Sequence, residues 1–463
     1  MTDPSPPPSD RPVALDYHEA LAALTARGRF GIRMGLGRTR ALLRALGDPQ
    51  LAVRGALVAG TNGKGSVLAL AGSALRAAGL RVGETPKPHL VTYRERVVID
   101  ARPIGVDDFT RNVEAVLAVA DRVARRHGDP TEFELLTAVV FRHFAEADLD
   151  LALVEVGLGG RLDATHAWDG GVAVVTNVDL DHMDRLGSTI TAIAKEKAAI
   201  IERGDIAVTG ATGEALEIVG RRARRMAAPL TVVEPATLLG WDRDGIDVEL
   251  PGLGKTRVGL RGRHQAANVA VADALLDALE EAGITAVDRD ARRRGYATAV
   301  WPGRLELLEL EDGREVLLDG AHNPAGAAAL GRALDDLGPH LAAGPLTLIT
   351  ASMADKDVDG VVRALSAAEA LRGAAVIATS VDAPRAMPAL ELAERWRSLP
   401  GPAGVPGPAS VTAVSDPLEA LDAAMAAPGT TVVAGSLYLV GAVRAHLLDD
   451  PDLRDPDPGA PAR

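Results

Sequence analysis

Short apolar runs that stop abruptly at polar residues recur along the chain, separated by longer Ala- and Leu-rich stretches. They are "ALVAG" (56–60), "LDLALVEVG" (149–157), "GVAVVTNVDLDH" (171–182), "VLLDGAHNP" (316–324), "LTLITASMADKD" (346–357), "AAVIATSVDAPR" (374–385) and "TTVVAGSLYL" (430–439). Runs of this length, alternating with helical segments, predict parallel sheets covered by helices on both faces. Ligands of such sheets bind beyond the carboxyl ends of the strands, where Glu155, Asn177, Asp319 and Asp355 fall.

The helical stretches carry their own signals. The pattern is helical from about Tyr17 to Gly47, and a helix over 66–79 ends at Gly79, a suitable C-cap. Pro324 stands at a helix N1 position. In "STITAIAKEKAAIIERG" (188–204), about 100° per residue puts Ile190, Ile193, Ala194, Ile200 and Ile201 on the same face as Lys197. Lys195, Glu196, Glu202 and Arg203 lie on the opposite side.

Punctuation divides the chain. "AVWPGRLE" (299–306) marks a boundary between a unit at 15–299 and a second at 300–449. The Pro- and Asp-rich ends, 1–14 and 450–463, are expected to be disordered tails, because they cannot bury enough apolar surface to offset chain entropy. "LPGPAGVPGPAS" (399–410) reads as a surface loop inside the second unit.

Composition narrows the function. A chain of 463 residues with formal charge −13 lacks the basic excess of a general nucleic-acid or anionic-membrane binder. The basic runs at 220–229 and 289–304 are read as solvated helix faces or a linker, Arg304 excepted. No apolar stretch is long enough to span a bilayer, the N-terminus does not resemble a secretory signal, and there is no cysteine. A cytoplasmic enzyme is expected.

Four clusters could carry chemistry. The segment "ALVAGTNGKGSVLALAGSALRAAG" (56–79) runs from strand through a glycine turn into a helix. Successive backbone N–H groups, the helix N-terminus and Lys64 suit a phosphate, and Ser66 offers a hydroxyl to magnesium. The spacing departs from the generic nucleotide loop: Val58 replaces its first glycine, and Gly65 separates Lys64 from Ser66. Glu155 ends an otherwise apolar strand, where a carboxylate needs a partner or a metal ion. His182 follows the next strand as a second candidate ligand. A desolvated Lys197 has a lowered pKa and can add carbon dioxide as a carbamate, or it must be ion-paired. In "DGAHNP" (319–324), His322 could meet a phosphate and Asp319 a ribose hydroxyl.

Together these segments resemble the folylpolyglutamate synthases and bifunctional dihydrofolate synthases of the wider Mur ligase family. The resemblance runs in order through "GLGRTRALLRALGDPQ" (35–50), "VAGTNGKGS" (58–66), "PHLVTYRERV" (88–97), "TEFELLTAVVF" (131–141) and "VEVGLGGRLDAT" (154–165). It continues in "TNVDLDHMDRLG" (176–187), "IAKEKAAI" (193–200), "GRHQAANVAVA" (262–272), "WPGRLE" (301–306), "LDGAHNP" (318–324) and "DKD" (355–357).

The resemblance implies an α/β fold, with a P-loop ATPase domain of the Mur-ligase central type followed by a smaller Rossmann-like ligase domain. It implies that Gly60, Thr61, Asn62, Gly63, Lys64, Gly65 and Ser66 hold the ATP phosphates and Asn268 the adenine. Arg304 and His322 would touch phosphate and Asp319 the ribose. Ser66, Glu155, His182 and a carbamylated Lys197 would serve two magnesium ions, with Lys64, Lys197 and His322 catalytic. Thr131, Glu132, Phe133, Glu134, Leu162, Asp163 and Ala164 match the pterin-binding segments. The implied enzyme is a monomer that joins L-glutamate to a folate, and to dihydropteroate, by way of an acyl phosphate. Its partners are small molecules, without nucleic acid or membrane.

The chain departs from the family at three places: His166 replaces an asparagine, Ala199 a glycine, and Lys87 a magnesium-ligating serine. An ammonium cannot ligate a metal, so Thr85, water or the lysine's own charge fills that role. Two other functions fit the chain less well. A Mur-type cell-wall ligase carries a nucleotide-sugar domain before the phosphate loop, and only 59 residues precede Gly60. A regulatory P-loop GTPase needs an N-K-x-D base-reading motif, and "TNVD" (176–179) lacks the lysine.

Overall fold

Buried Val, Ala and Leu runs pair where both faces can be covered, and the first of them, β1 (Gly55–Ala59), is buried throughout. In this computed structural model residues 15–30, 35–399 and 407–457 are described. The expected N-terminal tail at 1–14, the Pro/Gly-rich 400–406 and the terminal 458–463 lie outside them.

Among the described residues, β1 joins β2 (Val82–Thr85), β3 (Val98–Ile99), β4 (Arg102–Pro103), β5 (Leu151–Glu155), β6 (Gly171–Val175), β7 (Ile206–Thr209) and β8 (Leu230–Val232). The order is β4-β3-β2-β5-β1-β6-β7-β8. The core of this sheet is parallel, and the β2–β3–β4 edge is antiparallel. Apolar clusters cover both faces, one around Phe109, Phe141 and Trp168, the other around Leu68, Leu75 and Tyr296. With β1 between β5 and β6, their carboxyl ends open one crevice: Val58 is in register with Glu155 and with Val174.

A three-stranded antiparallel sheet, β9 (Thr237–Asp242), β10 (Gly245–Leu250) and β11 (Gly254–Val258), follows. The parallel pattern of the sequence did not anticipate it. The helix Arg289–Thr298 then closes on the helix Lys64–Ala77. Its Arg292 is buried rather than solvated, with ion pairs to Asp273 (3.1 Å) and Asp277 (2.7 Å). This corrects the solvated reading of that basic run: the helix has a buried face, and the arginine on it meets two acids.

The last sheet runs β12-β13-β17-β14-β15-β16, from β12 (Glu306–Glu309), β13 (Glu315–Leu318), β14 (Thr347–Thr350), β15 (Ala375–Ala378), β16 (Ser410–Ala413) and β17 (Thr431–Ala434). It is parallel apart from the β12–β13 hairpin and is covered on both faces.

The C-terminal stretch differs from the expected disordered tail. Asp455 accepts hydrogen bonds from Tyr17 Oη (2.8 Å), Thr92 Oγ1 (2.7 Å) and Arg94 Nε (3.2 Å). Arg94 Nη2 also donates to the Arg454 carbonyl (2.7 Å). Its apolar content is low, but Leu453 is packed at 9% exposure, and an acidic side chain opposite a buried guanidinium adds a polar anchor.

Candidate active site

The carboxyl ends of β1, β5 and β6 and the start of the last sheet face each other across one cavity of about 990 Å³. Such a volume suits a cofactor-sized ligand.

The phosphate loop is shaped by close approach. Gly63 has φ +80°, and a Cβ there would overlap the Asn268 amide. Gly65, the residue that spoils the generic spacing, lies under the indole of Trp301, and a side chain would collide with the ring. The extra glycine thus makes room for the start of the second unit. Lys64 Nζ donates to the carbonyls of Gly60 (3.1 Å) and Thr61 (3.3 Å) and stands 3.9 Å from Glu155 Oε1. Ser66 Oγ accepts from Gln265 Nε2 at 3.5 Å, and Asn268 Nδ2 donates to Gln265 Oε1 at 2.8 Å.

Glu155 is 4% exposed. Burial raises its pKa, opposed by the ammonium groups of Lys64 and Lys87. The Lys87 main-chain N–H donates to Glu155 Oε2 (2.9 Å), and its Nζ donates to the Glu155 carbonyl. Burial also brings the Lys87 pKa down to about 8, against the fields of Asp163 and Glu155.

Lys197 is 3% exposed, as the stripe predicts. It does not line the cavity. It sits behind the loop and donates to the Gly60 carbonyl (2.8 Å), and burial, with Lys64 beside it, lowers its pKa to about 7. His182 lies on the cavity rim, about half exposed, 3.7 Å from Asp181. Among the described residues, no three His, Asp or Glu side chains group closely enough to hold a metal ion by themselves.

The pterin-matching residues surround one end of the cavity: Thr131, Glu132, Phe133, Glu134, Leu162, Asp163 and Ala164 all line it. Their side chains differ in availability. Thr131 and Glu134 form a capping box at the helix Glu132–Glu146, and Glu134 holds Arg38 Nε at 2.9 Å. Asp163 accepts from the amides of Gly157 (3.1 Å), Leu158 (2.8 Å) and Thr165 (3.0 Å). Phe133, Leu162 and Ala164 present the apolar wall. Glu132 accepts from Tyr93 Oη at 2.8 Å.

Opposite stand Arg304, Asp319 and His322. Asp319 is half-buried; desolvation raises its pKa against the pull of Arg304, and it accepts from the amides of Leu305 and Ala321, both at 2.9 Å. His322 Nδ1 bonds the Gly320 carbonyl at 2.8 Å, so this nitrogen carries the hydrogen and Nε2 is left as an acceptor. Burial lowers its pKa, favouring this neutral form. Asp355 is elsewhere: exposed, paired with Arg385 and outside the cavity, because β14 ends at Thr350, five residues earlier. Sequence reasoning missed Trp301 and Gln265 as parts of the loop, and Arg96 as a cavity residue. The indole after "AV" at 299–300 was the available signal for the first.

A phosphate loop in one α/β unit, facing an arginine and a histidine of a second, defines a two-domain ATP-dependent ligase of the Mur type. The Mur ligase middle domain matches residues 58–276, and the Mur ligase glutamate ligase domain matches 303–437. The chain belongs to the folylpolyglutamate synthase/dihydrofolate synthase family. It is 31% identical to the dihydrofolate synthase/folylpolyglutamate synthase of Bacillus subtilis, over 93% of this chain and 99% of that protein. A crystal structure of Thermotoga maritima folylpolyglutamate synthase superposes with TM-score 0.80 at 31% identity, covering 94% and 98% of the two chains. The bifunctional synthase of Yersinia pestis, solved with AMPPNP and a manganese ion, gives TM-score 0.77 at 29% identity, covering 95% and 100%.

Proposed function

We propose that the protein joins L-glutamate to a folate, and also to dihydropteroate, with ATP cleaved to ADP and phosphate. The observation that carries this reading is the single cavity connecting the phosphate loop, the apolar recess at Phe133 and the second domain's Arg304 and His322. A carboxylate is a poor acyl donor because oxide would have to leave. Transfer of the γ-phosphoryl group to its oxygen turns that leaving group into phosphate, and the glutamate amine then attacks the acyl carbon. Lys64 and Arg304, one from each domain, neutralise charge on the transferred group. His322 Nε2 meets the phosphate as a donor once it has taken up a proton, which the phosphate's negative charge favours. Asn268, beside the loop, receives the adenine. Asp319 keeps acceptor capacity for a ribose hydroxyl beyond the two amides it holds.

Magnesium characteristically takes one or two protein oxygens and completes its shell with phosphate and water. The buried Glu155 carboxylate and the Ser66 hydroxyl fit that pattern, with His182 at the rim, and the relative solved with AMPPNP and manganese supports it. A divalent ion there would polarise the phosphoryl oxygens. Lys197 suits the carbamate reading because a desolvated, partly neutral amine attacks carbon dioxide, releases a proton and becomes an anion beside Lys64. To react it must leave the Gly60 carbonyl.

Phosphate release with ATP and L-glutamate, compared between dihydropteroate and reduced folates, tests the reading, with product masses counting the glutamates added. Release should require glutamate and should occur with either acceptor alone. Hydrolysis independent of folate and glutamate would instead indicate a P-loop regulator.

A further inference from the structure

Lys87 is half-buried in the phosphate site, yet it is neither part of the loop nor an ordinary structural lysine. Its ammonium donates to the Glu155 carbonyl, and its backbone amide holds Glu155 Oε2 at 2.9 Å. The Phe133 ring lies 5.3 Å from Nζ, within cation–π range. The carboxylates whose fields act on it are Asp163 and Glu155. Asp163 is itself fixed by the amides of Gly157, Leu158 and Thr165. Lys87 thus places one fixed positive charge where the phosphate loop meets the Phe133 recess, and both regions line the same cavity.

This charge competes with divalent ions for the same acid. One Glu155 oxygen already holds the Lys87 amide, and the other lies 3.9 Å from the Lys64 ammonium. Thr85 does not line the main cavity. It borders a small separate pocket behind Lys87, so it supplies no ligand in the lysine's place. No group of three His, Asp or Glu side chains among the described residues could hold an additional ion independently of the nucleotide, and Lys197, held on the Gly60 carbonyl behind the loop, does not line the cavity. A second divalent ion at Glu155 would need to approach the Lys87 ammonium, which the Glu155 carbonyl and the Phe133 ring hold there.

From this geometry we infer that the Lys87 ammonium is the resident cation of the site, and that the enzyme works with one divalent ion per nucleotide rather than two. The inference rests on the ATP-ligase reading. Lys87 then faces the junction at which the γ-phosphoryl group meets the acceptor carboxylate, where a fixed cation balances the charge a second metal ion would otherwise balance.

Counting metal tests this without turnover. Full-length protein is dialysed to equilibrium against Mn2+ and saturating AMPPNP, and bound manganese and nucleotide are measured per chain. The expected result is one Mn2+ per bound AMPPNP in the wild type and in Lys87→Arg, and two in Lys87→Ser, where a hydroxyl replaces the ammonium. Two Mn2+ in the wild type would overturn the inference, and so would an unchanged count of one in a Lys87→Ser protein that unfolds at the wild-type temperature. If Lys87→Ser fails to fold, the wild-type count alone decides. AMPPNP that does not bind at all would overturn the ligase reading on which the inference rests.

Discussion

Lys197 carries the most readable physics of any single residue here. The apolar stripe places it on a buried face, and burial brings its pKa from the usual lysine range to about 7. Between about pH 7 and the unfolded value near 10.4, the folded chain binds fewer protons at this position than the unfolded chain, so stability rises with pH across that window. In carbon-dioxide-free buffer, the unfolding free energy of the wild type should therefore gain on that of Lys197→Met by up to ~1.4 kcal/mol per pH unit from pH 7.5 to 9.5. Urea unfolding at several pH values measures this, and a pH-independent difference would mean that the lysine keeps an ordinary pKa. Lys87 is shifted in the same direction, so Lys197→Met will retain part of the wild-type slope. Residue chemistry was legible where one periodic helix settles exposure, as at Lys197. At Thr131 and Glu134 the capping box is itself spelled in "TEFE" (131–134), whereas the pairing of Glu134 with Arg38, 96 residues away, came only with the fold.

At the scale of elements, the helix Arg289–Thr298 is the clearest case of context overriding composition. Its arginine-rich sequence suggests a solvated face, yet Gly295 packs against the backbone of Ala74 and Arg292 lies between two acids. Tyr296 Oη adds a hydrogen bond to Asp273 at 2.9 Å. Arg292→Met removes the partner of a buried carboxylate and should cost about 3 kcal/mol of unfolding free energy by urea titration. Adding Asp273→Leu should restore most of the loss, because the uncompensated charge is then gone. The parallel strands were readable because continuous β-branched runs have few other stable placements. The β9–β11 sheet was not, since its pairing is antiparallel and half-exposed within a chain whose dominant pattern is the other kind.

The whole molecule is held across its two domains by contacts from distant parts of the sequence. Arg263 pairs with Asp336 through two nitrogens, both at 2.6 Å, and lies 4.0 Å over the Trp241 ring. Trp241 Nε1 donates to the Asp336 carbonyl at 3.1 Å. On another side, the chain after the last helix returns to the first domain, where Asp455 joins Tyr17, Thr92 and the buried Arg94. Asp455→Ala should lower stability by about 1–3 kcal/mol, since it leaves a buried guanidinium and two hydroxyls short of an acceptor. Chemical denaturation checks this, and Asp455→Glu should recover part of the loss.

By itself the sequence determined the parallel α/β class, the phosphate loop and the buried position of Lys197. These depend on local periodicity and on a glycine turn between a strand and a helix, both complete within some twenty residues. Only the tertiary structure decided why Gly65 interrupts the loop, which side chains remain free in the Phe133 recess, where Lys87 puts its charge and how the C-terminal segment is held. Each of these depends on a partner far along the chain: Trp301 for Gly65, Asp163 for Lys87, Arg94 for Asp455. Close packing and charge pairing are properties of three-dimensional neighbours, and a single sequence does not specify those neighbours in advance.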